Sequence, residues 1–511
     1  MFILTMKLLT TITVLSLVAQ FLNAQDCLSR DFNNGGTVCV CNIDHCDTLK
    51  PIEKVEKSKF IKVTSNQAGL RFQTEVGQFE KQSLTAENVI EIGTEKYQEI
   101  FGFGGAFTDS TGINIKSVNE DLGNKILSAY FSDDGLEYNV GRVPIGGTDF
   151  SLKGYSYCDT PNDTPDPDLT NFELQPEDFE FKISMIHKAL KLRNNKLDLF
   201  ASAWIAPNWM KTIPGFSARN SYLKDDMYQP WAEYFIKFLD SYKQNNISFW
   251  GITTGNEPKT ALGDNKIPSV AWYDDGMIKF IRENLGPALR NSAHSDINLL
   301  ILDDQTNNLL DTAHQILLDE KVNELVNGIA IHWYEDSEDT PANLDTTHEL
   351  HPNKFILATE ACNGYKLNDV ILGSWERGEM YAESILKDLN HWVVGWVDWN
   401  MALNLQGGPT FIANYVDAPI LVNATAEEFY KQPMYYALAH FSKFIPKGSF
   451  RVKSSVINEV ISTAVTRPDG ATAVVILNKD DKDVSVTVRD AGRGDINVHL
   501  TKKSITSIVY W

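Results

Sequence analysis

Eight short apolar or β-branched runs, most of them ending in polar residues, constrain this chain more than any other feature. They are EIFGFGGAFTD (99–109), EYNVGRVPIGG (137–147), LDLFASAW (197–204), ISFWGITTGNE (247–257), INLLILDDQ (297–305), GIAIHWYED (328–336), KFILATEAC (354–362) and VVGWVDWN (393–400). Between most of them lie amphipathic segments such as SVNEDLGNKILSAYF, YQPWAEYFIKFLDSYKQ and RGEMYAESILKDLNHWV. Near-continuous apolar strands alternating with helices bury both faces of a parallel sheet, and eight such units predict an α/β chain closed as a (β/α)8 TIM barrel. After the sixth run the helical periodicity fades and the connection reads as a loop.

The pattern changes outside the barrel. Residues 51–95 and 449–511 alternate apolar and polar positions without helical spacing and carry PDG and DD turns, which predicts an all-β sandwich side domain built from both chain ends. The barrel then takes 96–400 and 433–448, and residues 25–50 form a small disulfide-stapled N-terminal β segment together with 401–432. Residues 1–24 carry Lys7, the apolar run LLTTITVLSLVAQFL and small residues before Gln25, the layout of a secretory signal peptide whose apolar part is too short to span a bilayer. No later stretch is long and apolar enough for a transmembrane span.

Cys27, Cys39, Cys41 and Cys46 crowd behind that leader, at spacings that suit disulfides in an oxidising compartment and not a zinc site. Cys158 and Cys362 remain, free or paired. Sequons at Asn162, Asn246 and Asn423 are expected glycosylation sites on a secretory-pathway surface. The formal charge of −21 argues against a nucleic-acid partner, and ten His residues would offset part of it in an acidic lumen.

Barrel enzymes place their chemistry at the C-terminal ends of the strands. Glu257 ends the fourth run and Glu360 the seventh, so the two face each other across the barrel mouth. A carboxylate pair flanking a cleft suits glycoside hydrolysis, where one group protonates the leaving oxygen and the other attacks from the opposite face. Sugar rings have apolar faces, and the strand ends supply aromatic and bidentate polar partners: Asp109, Arg142, Trp204, Asn256, His332-Trp333-Tyr334 and Trp399-Asn400. GFGGAF lacks the third glycine of a dinucleotide loop, and no GxSxG elbow is present. His332 and Glu335 have no further His or Cys ligand nearby in the sequence, so no metal site is expected.

Taken together, GFGGAFTDS, ASAWIAPNWMK, TTGNEP, IHWYED, LATEACNG, LGSWERGEMYAESIL and VVGWVDWNMALNLQGGP resemble the acid β-glucosidases (glucosylceramidases) of glycoside hydrolase family 30, over essentially the whole chain after the leader. The resemblance implies a retaining, cofactor-free hydrolysis of glucosylceramide in sphingolipid degradation, in the lysosome lumen and peripherally at membranes, with a saposin-type activator and acidic phospholipid as partners. It implies Glu257 as general acid/base and Glu360 as nucleophile. It assigns Asp109, Trp204, Asn256 and Trp399 to the glucose ring, Asn414, His332 and Tyr334 to the pocket lining, and the pairs Cys27–Cys39 and Cys41–Cys46. This sequence departs from the mammalian pattern in a shortened KTALGDNKIPSVAW loop, in Gly147-Thr148 where a Cys is usual, in a missing sequon at Asn171, and in Phe411 for a Trp. A ceramide tail calls for exposed aromatics at the rim, with Phe411, Tyr415 and Trp375 as candidates. The competing expectations are a family 30 hydrolase of another β-glycoside and a non-catalytic glycolipid-binding protein, the second of which predicts loss of a catalytic Glu.

Overall fold

A computed structural model describes residues 26–511 apart from positions 218, 264, 265 and 274. The leader read in 1–24 lies outside the described residues. Eight parallel strands close on themselves: β1 (Gly102–Ala106), β2 (Val140–Ile145), β3 (Asp198–Ala203), β4 (Gly251–Thr253), β5 (Asn298–Gln305), β6 (Gly328–His332), β7 (Phe355–Glu360) and β8 (Val393–Asn400), with β8 pairing back onto β1. The apolar runs form these strands because both faces are covered. Val140, Phe200 and Val397 pack inside the barrel with Phe101 and Trp250, while Phe103, Trp396 and Ile331 pack outward against the helical layer.

β1 runs so close to its neighbours that a side chain has no room. A Cβ on Gly104 would lie 1.9 Å from the Val140 carbonyl oxygen. The helix Asp109–Lys116 starts directly after β1, capped by the Thr108 side chain, which accepts from the Thr111 N–H and donates from its hydroxyl to Asn400 at 2.7 Å. The connection after β6, expected to be loop, contains the helix Thr340–Leu350. Only Thr340, Leu344 and Thr347 of it are buried, too narrow a stripe to show as periodicity.

A nine-stranded sheet combines Lys59–Asn66, Gln73–Gln78 and Val89–Glu99 with six strands after Phe450, around a core that includes Ile90, Val474, Val488 and Ile508. A third, five-stranded sheet joins Ser29–Asp31 and Thr37–Cys41 to Glu428–Lys431, Ile420–Asn423 and Ala402–Asn404. It carries the disulfides Cys27–Cys39 and Cys41–Cys46, while Cys158 and Cys362 are free and buried. Asn162 and Asn246 are exposed, and the Asn423 amide is half-buried, donating to Tyr430 Oη at 2.9 Å. Among the described residues no helix is long and apolar enough to cross a membrane.

Candidate active site

The C-terminal ends of the barrel strands surround a cavity of about 560 Å³, lined by Glu257, Glu360, Asn256, Asp149, Trp204 and Trp399 among others. Glu360, the last residue of β7, receives one hydrogen bond from the Arg142 guanidinium on Oε2 and another from Tyr334 Oη on Oε1 at 2.8 Å. Glu257 follows β4 with φ at 43°, a left-handed conformation that costs energy for a residue bearing a Cβ. Its Oε1 is paired with His332 Nδ1 at 2.9 Å and accepts from Gln305 Nε2 at 2.9 Å; its Oε2 accepts from Thr260 Oγ1 at 3.0 Å. The two glutamates therefore have separate sets of partners. Yet a carboxylate oxygen of each lies within 4.8 Å of the other, and His332 sits within the same distance of both.

Beneath this pair lies a buried ionic layer centred on Asp303. Asp303 accepts from Arg142 Nη2 (2.9 Å), Ser202 Oγ (2.5 Å), Thr253 Oγ1 (2.8 Å) and Thr359 Oγ1 (2.8 Å), and pairs with His332 Nε2 at 3.1 Å. Arg142 thus joins Asp303 to Glu360, and His332 joins Asp303 to Glu257. The backbone at Leu302 and Asp303 has φ of 73° and 49°, at an irregularity in the β5–β6 register, and this turns the Asp303 carboxylate toward its neighbours. Burial opposes ionisation of Asp303, but Arg142, His332 and Ser202 outweigh it and hold the carboxyl well below the usual range. Burial likewise opposes charge on His332, yet Glu360, Asp303 and Glu257 around it raise its pKa to about 10, so the ring is an imidazolium. Burial raises the Glu360 carboxyl above its ordinary value, against the pull of Arg142 and His332.

Trp204 and Trp399 stack at 5.0 Å with 20° between their planes, and the Arg142 guanidinium lies 4.6 Å above the Trp204 ring. Asn256 lends its amide oxygen to Arg142 at 2.8 Å, and its amide nitrogen has no hydrogen-bond partner among the described residues. Asn414 donates to Asp149 Oδ2 at 2.8 Å. Asp149 is a third carboxyl in the cavity: burial, opposed by Asn414 and reinforced by Glu360 and Glu257, pushes its pKa up to about 7.

Of the residues read from the sequence, Glu257, Glu360, Asn256, Trp204, Trp399, Tyr334 and Asn414 line the cavity. Asp109 and His332 do not. Asp109 is the first residue of its helix and turns its carboxylate to Ser151 Oγ (2.6 Å) and Tyr155 Oη (3.0 Å). The aspartate that reaches the cavity is Asp149, held in a turn after β2 where the Phe150 N–H donates to Thr148 Oγ1. The DFS that follows GGT is the only sequence signal for it. Asp303 and Gln305 were also missed, lying inside an LDDQ run that reads as a strand end. Trp375 is 2% exposed and belongs to the core, whereas Phe411 and Tyr415 are half-buried. His332 has no companion ligand nearby along the chain, but the fold brings Glu257 and Glu360 to it. By distance the three could surround a metal ion; the imidazolium and the guanidinium beside them suit a carboxylate pair and not a cation.

A TIM barrel that converges two carboxylates from strands 4 and 7 beside stacked tryptophans is the architecture of a carbohydrate-cleaving enzyme. Residues 100–445 match the glycosyl hydrolase family 30 TIM-barrel domain, and 448–508 match the family's β-sandwich domain. The chain belongs to glycoside hydrolase family 30, whose members hydrolyse with retention of configuration. It is 41% identical over 92% of its length to the lysosomal acid glucosylceramidase of Mus musculus, covering 93% of that protein. It is also 41% identical to putative glucosylceramidase 4 of Caenorhabditis elegans, over 93% of each chain. Among solved structures it resembles SrfJ from Salmonella typhimurium with a TM-score of 0.82 and 26% identity, covering 88% of this chain and 99% of that one.

Proposed function

We propose that this protein is a retaining β-glucosidase that cleaves glucosylceramide into glucose and ceramide, with Glu360 as nucleophile and Glu257 as general acid/base. The observation that carries the reading is that an oxygen of each carboxylate lies within 4.8 Å of the other, each group having its own partners. Inverting enzymes need about 6.5–9.5 Å between the carboxyl groups to admit a water, and retaining enzymes about 5–5.5 Å. Glu360 attacks the anomeric carbon while Glu257 protonates the departing oxygen. The C1–O bond to the aglycone breaks, an ester to Glu360 forms, and ceramide leaves with the proton from Glu257. With the Glu360 charge gone, Glu257 takes a proton from the incoming water as its oxygen bonds to C1; the C1–O bond to Glu360 breaks, its electron pair restores the Glu360 carboxylate, and glucose leaves.

Asp149 and Asn414 suit the glucose hydroxyls, Trp204 and Trp399 its apolar edges, and the free amide N–H of Asn256 the 2-hydroxyl, where a hydrogen bond strengthens as positive charge develops on the ring. The aglycone leaves toward the mouth. Exposed Ile213, Tyr273 and Leu367 on the loops there favour apposition to a lipid surface. The names of the 41% identical relatives support the substrate and a lysosomal setting, and the resemblance supports a saposin-type activator on acidic phospholipid. The test is hydrolysis of glucosylceramide against a panel of other β-glycosides by the purified protein and its Glu360→Gln variant. Release of glucose from glucosylceramide, abolished in the variant, is expected. Preference for another glycoside would replace the substrate, and activity retained in the variant would remove the nucleophile.

A further inference from the structure

The nucleophile's hydrogen bond from Tyr334 raises a question of timing. Glu360 Oε1 accepts that bond at 2.8 Å in the resting site, and it faces the cavity side, since Tyr334 lines the cavity whereas Arg142, on Oε2, is fully buried. When Oε1 gives a lone pair to the anomeric carbon its negative charge disappears. A phenol hydrogen bond to it weakens at that moment, and a hydroxyl left without an acceptor opposes the step.

A second acceptor is already in place. Cys362 lies two residues beyond Glu360, is 2% exposed, and lines the same cavity. Its Sγ is 3.3 Å from Tyr334 Oη, a pair in which either atom can donate: while the Tyr334 proton points to Glu360 Oε1 the thiol donates to Oη, and once that proton turns away the sulfur accepts it; Tyr334 is its only hydrogen-bond partner among the described residues. Trp399, Trp204 and Val416 share its apolar cluster. The thiol is not a reactive one, because burial raises its pKa well above the ordinary value. Tyr334 is held in position independently of Glu360, by an edge-to-face contact with Tyr365 at 4.8 Å, so its hydroxyl can rotate between two acceptors without moving the ring.

We infer that Cys362 is a positioning residue for formation of the glucosyl-enzyme, its sulfur accepting the Tyr334 hydrogen bond as Glu360 Oε1 bonds to the sugar. No proton changes owner in this exchange. The Tyr334 O–H turns from a carboxylate oxygen to a sulfur lone pair while the Glu360–C1 bond forms and the aglycone departs. This rests on Glu360 being the nucleophile.

The experiment measures the rate at which an activated 2-deoxy-2-fluoro-β-glucoside labels the enzyme, with the labelled peptide mapped, in wild type, Cys362→Ala and Cys362→Ser. The affinity of a neutral, non-covalent glucose-competitive inhibitor is measured alongside. Label on Glu360 is expected in all three proteins. Labelling should slow about five-fold in Cys362→Ala, the loss of one ordinary hydrogen bond, with inhibitor affinity unchanged, and Cys362→Ser, which keeps an acceptor, should recover most of the rate. Cys362→Ala labelling at the wild-type rate would overturn the inference. So would equal slowing in both variants together with weakened inhibitor binding, which is the signature of packing alone. Label on a residue other than Glu360 in the wild type would instead refute the assignment of the nucleophile, and this inference with it.

Discussion

At the scale of single residues, the site gives two chemically identical side chains different neighbours. Glu360 is held by a guanidinium and a phenol, Glu257 by an imidazolium, an amide and a hydroxyl. If Glu257 serves both half-reactions, Glu257→Gln should separate them. With an aryl glucoside whose leaving group departs unaided, glycosylation survives and deglycosylation slows by about 10²–10⁴-fold, the usual worth of a general base. A burst of phenol equal to the enzyme concentration is expected, and azide, which needs no deprotonation, should restore turnover and yield β-glucosyl azide. Unchanged steady-state rates without a burst would take the role away from Glu257. Both glutamates were legible in the sequence because each closes an apolar run at the end of a strand, where a barrel places its chemistry. Asp149 and Asp303 were not legible: one reaches the cavity from a turn past its strand, and the other depends on two left-handed residues at a register irregularity. Neither backbone feature has a sequence signature in non-glycine residues. Asp109 shows the converse error, a strand-end aspartate whose helix carries it away from the mouth.

Among elements, the eight strands were the most legible part of the fold, since burial on both faces leaves an apolar run whatever lies around it. The helix Thr340–Leu350 was the least, because its buried stripe is narrow and polar. How the modules are joined was invisible, being decided by single side chains that cross between sheets. Arg71 is one of these. Its guanidinium donates to the Thr37 carbonyl (2.7 Å) in the N-terminal sheet and to the Asn66 carbonyl (2.7 Å) in the nine-stranded sheet, and lies 5.8 Å above Trp375 and 5.7 Å above Tyr436 on the barrel's helices. Three modules meet on one planar cation. Arg71→Ala should lower stability to chemical denaturation by about 2–4 kcal/mol, because it takes a hydrogen bond from each of two carbonyls and removes the cation from above two aromatic rings. Arg71→Lys should recover less than half, because an ammonium cannot fork and stack together. If the lysine variant unfolds at the wild-type denaturant concentration, the geometry of the guanidinium is not what joins these modules.

For the molecule as a whole, buried acids set the direction in which stability depends on pH. Burial is the first cause in each case: it raises Asp149 and Asp304 to about 7 and Asp336 and Asp417 to about 6, and it raises Asp109, Asp388 and Asp398 as well. Such a group is protonated in the fold but ionised in the unfolded chain above about pH 4, so between those two values folding takes up a proton. Each one then removes about 1.4 kcal/mol of stability per pH unit until its folded pKa is passed. His440 acts the other way. It is fully buried between Ser65 Oγ and Ser507 Oγ, and burial lowers its pKa to about 3, so its neutral form is stabilising above pH 6.5 and is opposed as the pH falls below that. Carboxylates held low, such as Asp303 and Asp495, contribute fully above about pH 4 and lose that contribution only on stronger acidification. From pH 5 to 7 the raised acids outnumber the lowered histidines, and the raised imidazolium of His332 adds a further loss above pH 6.5. The unfolding temperature should therefore be highest between about pH 4 and 5 and fall by several degrees by pH 7.5, as measured by calorimetry in matched ionic strength. Asp388→Asn and Asp398→Asn, which leave neutral isosteres at two of the most strongly raised positions, should each flatten that fall. A midpoint that stays level or rises from pH 5 to 7.5 would mean that these carboxyls are ionised in the folded protein, and that burial does not tune this fold to an acid compartment.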